Sequence, residues 1–163
     1  MSGQALATLL GYPAQVLADL LPALAEFEDS RDLGYTRAIS VDRVVAWAWN
    51  EGRLARATRL LAAGEKAPPI HVSRYWLCGE ALYSVADGMH RTIAARQAGR
   101  QRIIARIGGE VQCHPERYML ERSTGRLWRE VPPDKRLITL VQSDIGPELA
   151  AALVAVGVRE FER

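Results

Sequence analysis

Lysine is nearly missing from this 163-residue chain: Lys66 and Lys135 are the only two among its 21 basic residues. Cysteine is as scarce. Cys78 and Cys113 lie far apart and form no CxxC or CxxH pattern, which excludes a disulfide scaffold and leaves no cysteine cluster for zinc. They read as free thiols of a reducing compartment, with a single disulfide as the alternative. The N-terminus lacks the basic region of a signal peptide, and its apolar residues are interrupted by Gln4, Asp19 and Pro22. No apolar run approaches the ~20 residues of a spanning helix. These absences point to a cytoplasmic protein without a membrane partner. Internal repeats and low-complexity segments are also missing, and the composition excludes a disordered tail and a collagen-like rod.

What is present is an ordinary globular composition, 48% hydrophobic and 25% charged. A chain of this length buries a core without help from disulfides or a metal. The net charge of +2 is unevenly spread: residues 1–36 carry −4, 37–86 carry +3, 87–136 carry +5 and 137–163 carry −2. Arginine supplies nearly all the positive charge, and its planar fork suits bidentate phosphate contacts. The middle of the chain is where an anionic ligand is expected.

Periodicity divides the chain into short elements. Val16, Leu17, Leu20, Leu21, Leu24 and Phe27 recur at helical spacing, with Pro13 in a first turn and Pro22 expected to kink or split the helix. An acidic loop, residues 26–32, then closes near Gly34. Residues 38–41 form a short strand, and Asp42 is a candidate cap for the next element. Trp47 and Trp49 lead to a break at Asn50-Glu51-Gly52, and a helix covers residues 53–63, ended by Gly64. Pro68-Pro69 opens a strand over residues 70–76, and a tight connection at Cys78-Gly79-Glu80 returns it over 82–86. A helix over 89–98 stops at Gly99. The strand 102–107 is apolar on both faces and is expected to be covered on both. Beyond a soft boundary at Gly108-Gly109, residues 118–122 and 126–131 flank a three-residue hairpin loop ending in Gly125. A further strand covers 137–141, and the last helix starts at Pro147 and ends before Gly157. The order is that of an α+β protein: a small mixed β-sheet flanked by helices, with an N-terminal helical arm (1–36), a core (37–108) and a C-terminal β-hairpin and helix extension (109–163).

The sharpest local feature is Ala86-Asp87-Gly88-Met89-His90-Arg91-Thr92, where a strand hands over directly to a helix. First-turn amides have no partner inside the helix, and the macrodipole places partial positive charge there. Gly88 permits a close backbone approach, His90 and Arg91 add donors, and Thr92 adds a hydroxyl. Together they form a phosphate cradle. Asp87 either caps the helix or orients Arg91 or a ligand group.

Three stretches carry a family resemblance. Pro68-Pro69-Ile70-His71-Val72, the turn from Leu82 to Ala95, and Gly99 with Ile103-Ile104-Ala105 after it resemble the ParB/sulfiredoxin superfamily. Its members share a PPI-x-V strand, a Y-x-x-x-x-G-x-x-R-x-x-A strand-to-helix turn and a following short strand. The resemblance covers residues 37–107. It implies that Gly88, Met89, His90, Arg91 and Thr92 line a site for a nucleoside triphosphate, CTP or ATP with magnesium. DNA and a second copy of the chain are the further partners it suggests. ParB partition proteins have Gly-Glu-Arg-Arg at this turn, whereas this chain has Gly88-Met89-His90-Arg91. Sulfiredoxins place their reactive cysteine immediately before His-Arg. Met89 stands there, and a thioether is no thiolate nucleophile, so sulfiredoxin chemistry is excluded. The Asp-Gly-x-His-Arg form is closest to an ADP-dependent free serine kinase and other ParB-like proteins.

Three functions are expected from these features. The first is a ParB-like nucleotide-binding module associated with DNA. The second is a phosphotransferase or nucleotide hydrolase with Glu51 as general base and Asp87 and His90 near the transferred phosphate. The third is a protein-interaction adaptor with a vestigial site. His71 and Arg74 alternate along their strand and face opposite sides. Trp128, between Arg126 and Arg129, is either hairpin packing or a stacking platform for single-stranded nucleic acid. The adjacent pair Cys113-His114 lacks a second ligand cluster, and no metal is expected there.

Overall fold

The structure, a computed structural model, describes residues 9–130 and 138–162. The chain is α+β and forms two compact units. One comprises Phe27–Trp76 and Ala81–Val111; the other comprises Met1–Glu26, Leu77–Glu80 and Gln112–Arg163.

The first unit is built on a five-stranded sheet of order β1-β5-β3-β4-β2. Its strands are β1 (Ala25–Ser40), β2 (Val44–Val45), β3 (Ile70–Leu77), β4 (Glu80–Asp87) and β5 (Arg102–Cys113). β3 and β4 form a hairpin whose two turn residues, Cys78 and Gly79, have φ of 52° and 84°. Positive φ at both positions matches the right-handed twist of the flanking strands. β2 joins β4 in parallel, with Val44 opposite Tyr83. Along β3, Ile70, Val72 and Arg74 are buried while His71 is exposed, so His71 and Arg74 do face opposite sides. The buried face meets Ile39, Val44, Tyr83, Ala105 and Ile107 in one core, with Met89 and Ile93 packed against it.

Two helices accompany this sheet: α2 (Glu51–Ala62) and α3 (Met89–Gln97), the N-terminal helix α1 (Ala14–Ala23) belonging to the other unit. The side chain of Asn50 accepts from Arg53 N at 2.9 Å and caps α2, so the helix starts two residues before the expected Arg53. Asp42 lies in a 3-10 turn, Val41–Arg43, and caps no helix. That turn is held by Arg96 of α3, whose Nη2 donates to the carbonyls of Val41 and Val44 at 2.8 Å each.

The second unit carries a four-stranded sheet of order β8-β7-β6-β9. β6 (Tyr118–Glu121) and β7 (Arg126–Glu130) form the expected hairpin, β8 (Ile138–Gln142) pairs antiparallel with β7, and β9 (Arg159–Phe161) lies parallel to β6. Val131 and Leu137, expected at strand ends, lie outside the described residues. α1 and α4 (Pro147–Ala155) complete the unit, burying Leu17, Leu20, Leu21, Ala152 and Leu153. Beneath the sheet a buried Glu26 accepts from Tyr118 Oη at 3.2 Å and from Arg129 Nη1 at 2.7 Å.

Four expectations are corrected. The acidic stretch 26–32 is strand, because β1 begins at Ala25, so the boundary at 36 falls inside an element. Gly108-Gly109 is likewise interior to β5, which continues to Cys113. β5 is covered on one face only, since Ile104 is 51% exposed. Pro22 does not split α1: it sits in the last turn, one residue before the helix ends. No helix among the described residues is long and apolar enough to cross a membrane.

Candidate functional site

The turn from β4 to α3 is built around Gly88, whose φ is +115°. A Cβ there would lie 2.7 Å from Ile70 Cβ and closer still to its Cγ2. Glycine is therefore required by the approach of β3 as well as by the left-handed backbone. No side chain caps α3, and no acidic residue lies in its first turn. Asp87 is the last residue of β4 and does not cap the helix. Its Oδ2 accepts from Arg91 Nη2 at 3.1 Å, one turn along. Of the two readings of Asp87, the structure has the one in which it orients Arg91.

Arg91 is held from a second side. Its Nη1 donates to the carbonyl of Pro68, with a longer contact of 3.4 Å to Pro69 O. The diproline thus presents acceptors to the arginine of the turn and leads directly into β3. Thr92 is fully buried, and its Oγ1 donates to Gly88 O at 2.9 Å. Its hydroxyl stabilises the turn and is turned away from any ligand. His90 is 8% exposed, and its Nε2 accepts from Asn50 N–H at 3.1 Å. That nitrogen is an acceptor here, which differs from the expected donor role. The His90 ring also meets Trp49 edge-on, with centroids 4.9 Å apart.

Through Asn50, His90 fixes where α2 begins and therefore where Arg53 and Arg56 project. A cavity of about 550 Å³ results. Trp49, Arg53, Arg56, Ala57 and Leu60 line one side, and the turn from Ala86 to Arg91 lines the other. Its charged lining is three arginines against the single carboxylate of Asp87. The structure thus brings Asp87, Gly88, Met89, His90 and Arg91 to one cavity. It leaves Glu51, exposed at the first position of α2, and His71 outside the lining. A second cavity of about 360 Å³ shares Ala57, Leu60 and Arg91 with the first. Its walls are mainly apolar, among them Leu61, Ile70, Ala94 and Ile103, and Lys66, Arg100 and Arg102 also line it.

Trp49, Arg53 and Arg56 were not singled out from sequence. The available signal was the i, i+3 spacing of Arg53 and Arg56 behind an Asn cap, which puts both on one helix face. Other candidates are engaged structurally. Trp128 donates from Nε1 to Glu121 at 3.4 Å, and Arg129 pairs with the buried Glu26. Arg74 is buried and bonds Glu110 through Nε at 2.8 Å. Burial opposes the Arg74 charge, but hydrogen bonds to Glu110, Tyr83 and Tyr35 outweigh it and raise the guanidinium pKa. The hydrogen bond from Trp76, together with the Arg74 contact, holds the Glu110 carboxyl below its ordinary value. Burial pushes the Cys113 thiol up to about 12, which removes it from nucleophilic chemistry. Among the described residues, no group of three or more His, Cys, Asp or Glu could hold a metal ion.

No known family model matches the chain, and no curated protein matches it.

Proposed function

We propose that the chain is a ParB-like nucleotide-binding module of the cytoplasm that holds the phosphates of a nucleoside triphosphate at the turn 87–92. One observation carries this reading: the uncapped N-terminus of α3 meets Arg53, Arg56 and Arg91 on a single cavity. First-turn amides and guanidinium groups donate hydrogen bonds and accept none, so this lining suits a polyanion. Magnesium arriving with the triphosphate would draw its ligands from phosphate oxygens and water, and Asp87 is the carboxylate at hand. A phosphotransferase would need a base at the cavity. Glu51 does not line it, and the carboxylate that does, Asp87, is paired with Arg91, so binding is favoured over turnover. DNA is proposed as a further partner, supported by the +5 charge over residues 87–136.

Thermal denaturation tests the reading. CTP or ATP with magnesium should raise the melting temperature at millimolar concentration, and saturation at a hundred times Kd stabilises by about 2.7 kcal/mol. Arg56→Glu reverses a charge on an exposed helical position. It should remove most of the shift while leaving the melting temperature of the unliganded protein unchanged. No shift with any nucleoside triphosphate would sink the proposal.

A further inference from the structure

The four tryptophans are not equivalent. Trp47, Trp76 and Trp128 are half-buried, whereas Trp49 is 54% exposed at the rim of the first cavity. An exposed indole is ordinarily mobile, but this one is restrained. Its ring meets the His90 ring at an interplanar angle of 66°, and the next backbone N–H, of Asn50, donates to His90 Nε2 at 3.1 Å. The residue that anchors the ring thus belongs to the turn at the opposite wall. One flat group already stacks on the indole: Arg53 Cζ lies 4.7 Å from the ring centroid. Trp49 and Arg53 line the same cavity.

Resting on the nucleotide reading above, we propose that Trp49 is the base-stacking platform of this site. The nucleobase replaces the Arg53 guanidinium on the indole, and the freed Arg53 joins Arg56 and Arg91 around the phosphates. An exposed cation–π contact is weaker than base–aromatic stacking, so the exchange is downhill. A ring fixed before binding also spares the ordering cost of a mobile side chain. The cavity then has two ends of different chemistry, an aromatic plate for the base and a cationic wall for the phosphates. A ligand with both a base and phosphates fits it better than a bare polyanion.

Calorimetric titration of the full chain with ATP, CTP and inorganic tripolyphosphate separates the two ends. Trp49→Ala should weaken binding of both nucleotides at least tenfold, about 1.4 kcal/mol, while tripolyphosphate affinity stays within twofold. Trp49→Phe keeps a stacking face and should retain nucleotide affinity within threefold. Trp49→Leu keeps bulk without a π face and should behave as the alanine variant, which covers the case in which alanine disturbs the loop. Equal losses for nucleotide and tripolyphosphate, no loss at all, or tripolyphosphate binding without nucleotide binding overturns the stacking role alone. Failure of all three probes to bind the unmodified protein overturns the phosphate site and the platform together.

Discussion

At the residue scale, the turn shows how a position that looks ligand-facing can be fixed by the fold. Gly88, His90 and Thr92 were all readable as cradle residues because they stand in the first turn of a helix after a strand. Two of them are committed elsewhere. Thr92 closes onto Gly88 O, and His90 accepts from a backbone amide 40 residues away. No local pattern encodes a partner at that separation, so the turn was legible and the roles of its residues were not. Gly88 carries a measurable consequence. Any Cβ there collides with Ile70 and sits on a backbone of φ +115°. Gly88→Ala should therefore cost about 3 kcal/mol or more through overpacking and strain together. Urea unfolding measures it, and a stability within 1 kcal/mol of the unmodified chain (a limit set by ordinary repacking costs of about that size) would remove the close approach as the reason for glycine.

At the scale of elements, helices were more legible than strands. α3 and α4 have their glycine or proline punctuation where the chain shows it. β1 and β5 run far beyond the apolar patches that announced them, because a sheet supplies hydrogen bonds to residues whose side chains are polar and exposed. Gly109 reads as a break, yet a Cβ at that position would lie an ordinary 3.6 Å from Arg31 O of β1, and the strand runs straight through it. β9 is three residues, two of them charged, too short for any period to register. The element that shapes both cavities is α2. It has no buried residue, and residues on its inner side line both cavities. Its attachment rests on the Asn50 cap and on half-buried Leu54, Ala57 and Leu61. α3, by contrast, buries His90, Thr92, Ala94 and Ala95. Few buried apolar contacts mean low local stability. Amides of α2 should exchange with deuterium at least tenfold faster than those of α3, the ratio that about 1.4 kcal/mol of local stability produces. Millimolar ATP or CTP filling the cavity should slow α2 selectively. Exchange at equal rates, or protection confined to other elements, would show that the helix is not the mobile wall of the site.

For the molecule as a whole, the two units carry titrating groups of opposite sense. In the unit of β3 and β4, the Glu110 pKa is lowered by Trp76 and Arg74. The unfolded chain takes up that proton first as pH falls, so this contribution is complete above the ordinary carboxylate range and disappears through acid pH. In the other unit, Cys113 is pushed up to about 12 and Tyr118 is raised, both chiefly by burial. Here the unfolded chain loses its protons first as pH rises. Stability is complete below the ordinary thiol value of 9.0 and declines toward about 12, at about 1.4 kcal/mol per pH unit for each group that differs. Acid should therefore loosen the Phe27–Trp76 and Ala81–Val111 unit first, and alkali the other. Glu110→Gln removes the acid-titrating carboxyl while keeping a hydrogen-bonding side chain. Its urea-unfolding stability should lie below that of the unmodified protein at pH 7, by about 2 kcal/mol for a largely buried charge left without its partner. The two curves should begin to approach as pH falls below the ordinary carboxylate range and converge only once the lowered pKa of Glu110 is passed. Tyr118→Phe should flatten only the alkaline limb. A Glu110→Gln curve that runs parallel to the unmodified one through acid pH would show that the Arg74–Glu110 pair does not set the acid limit of this fold.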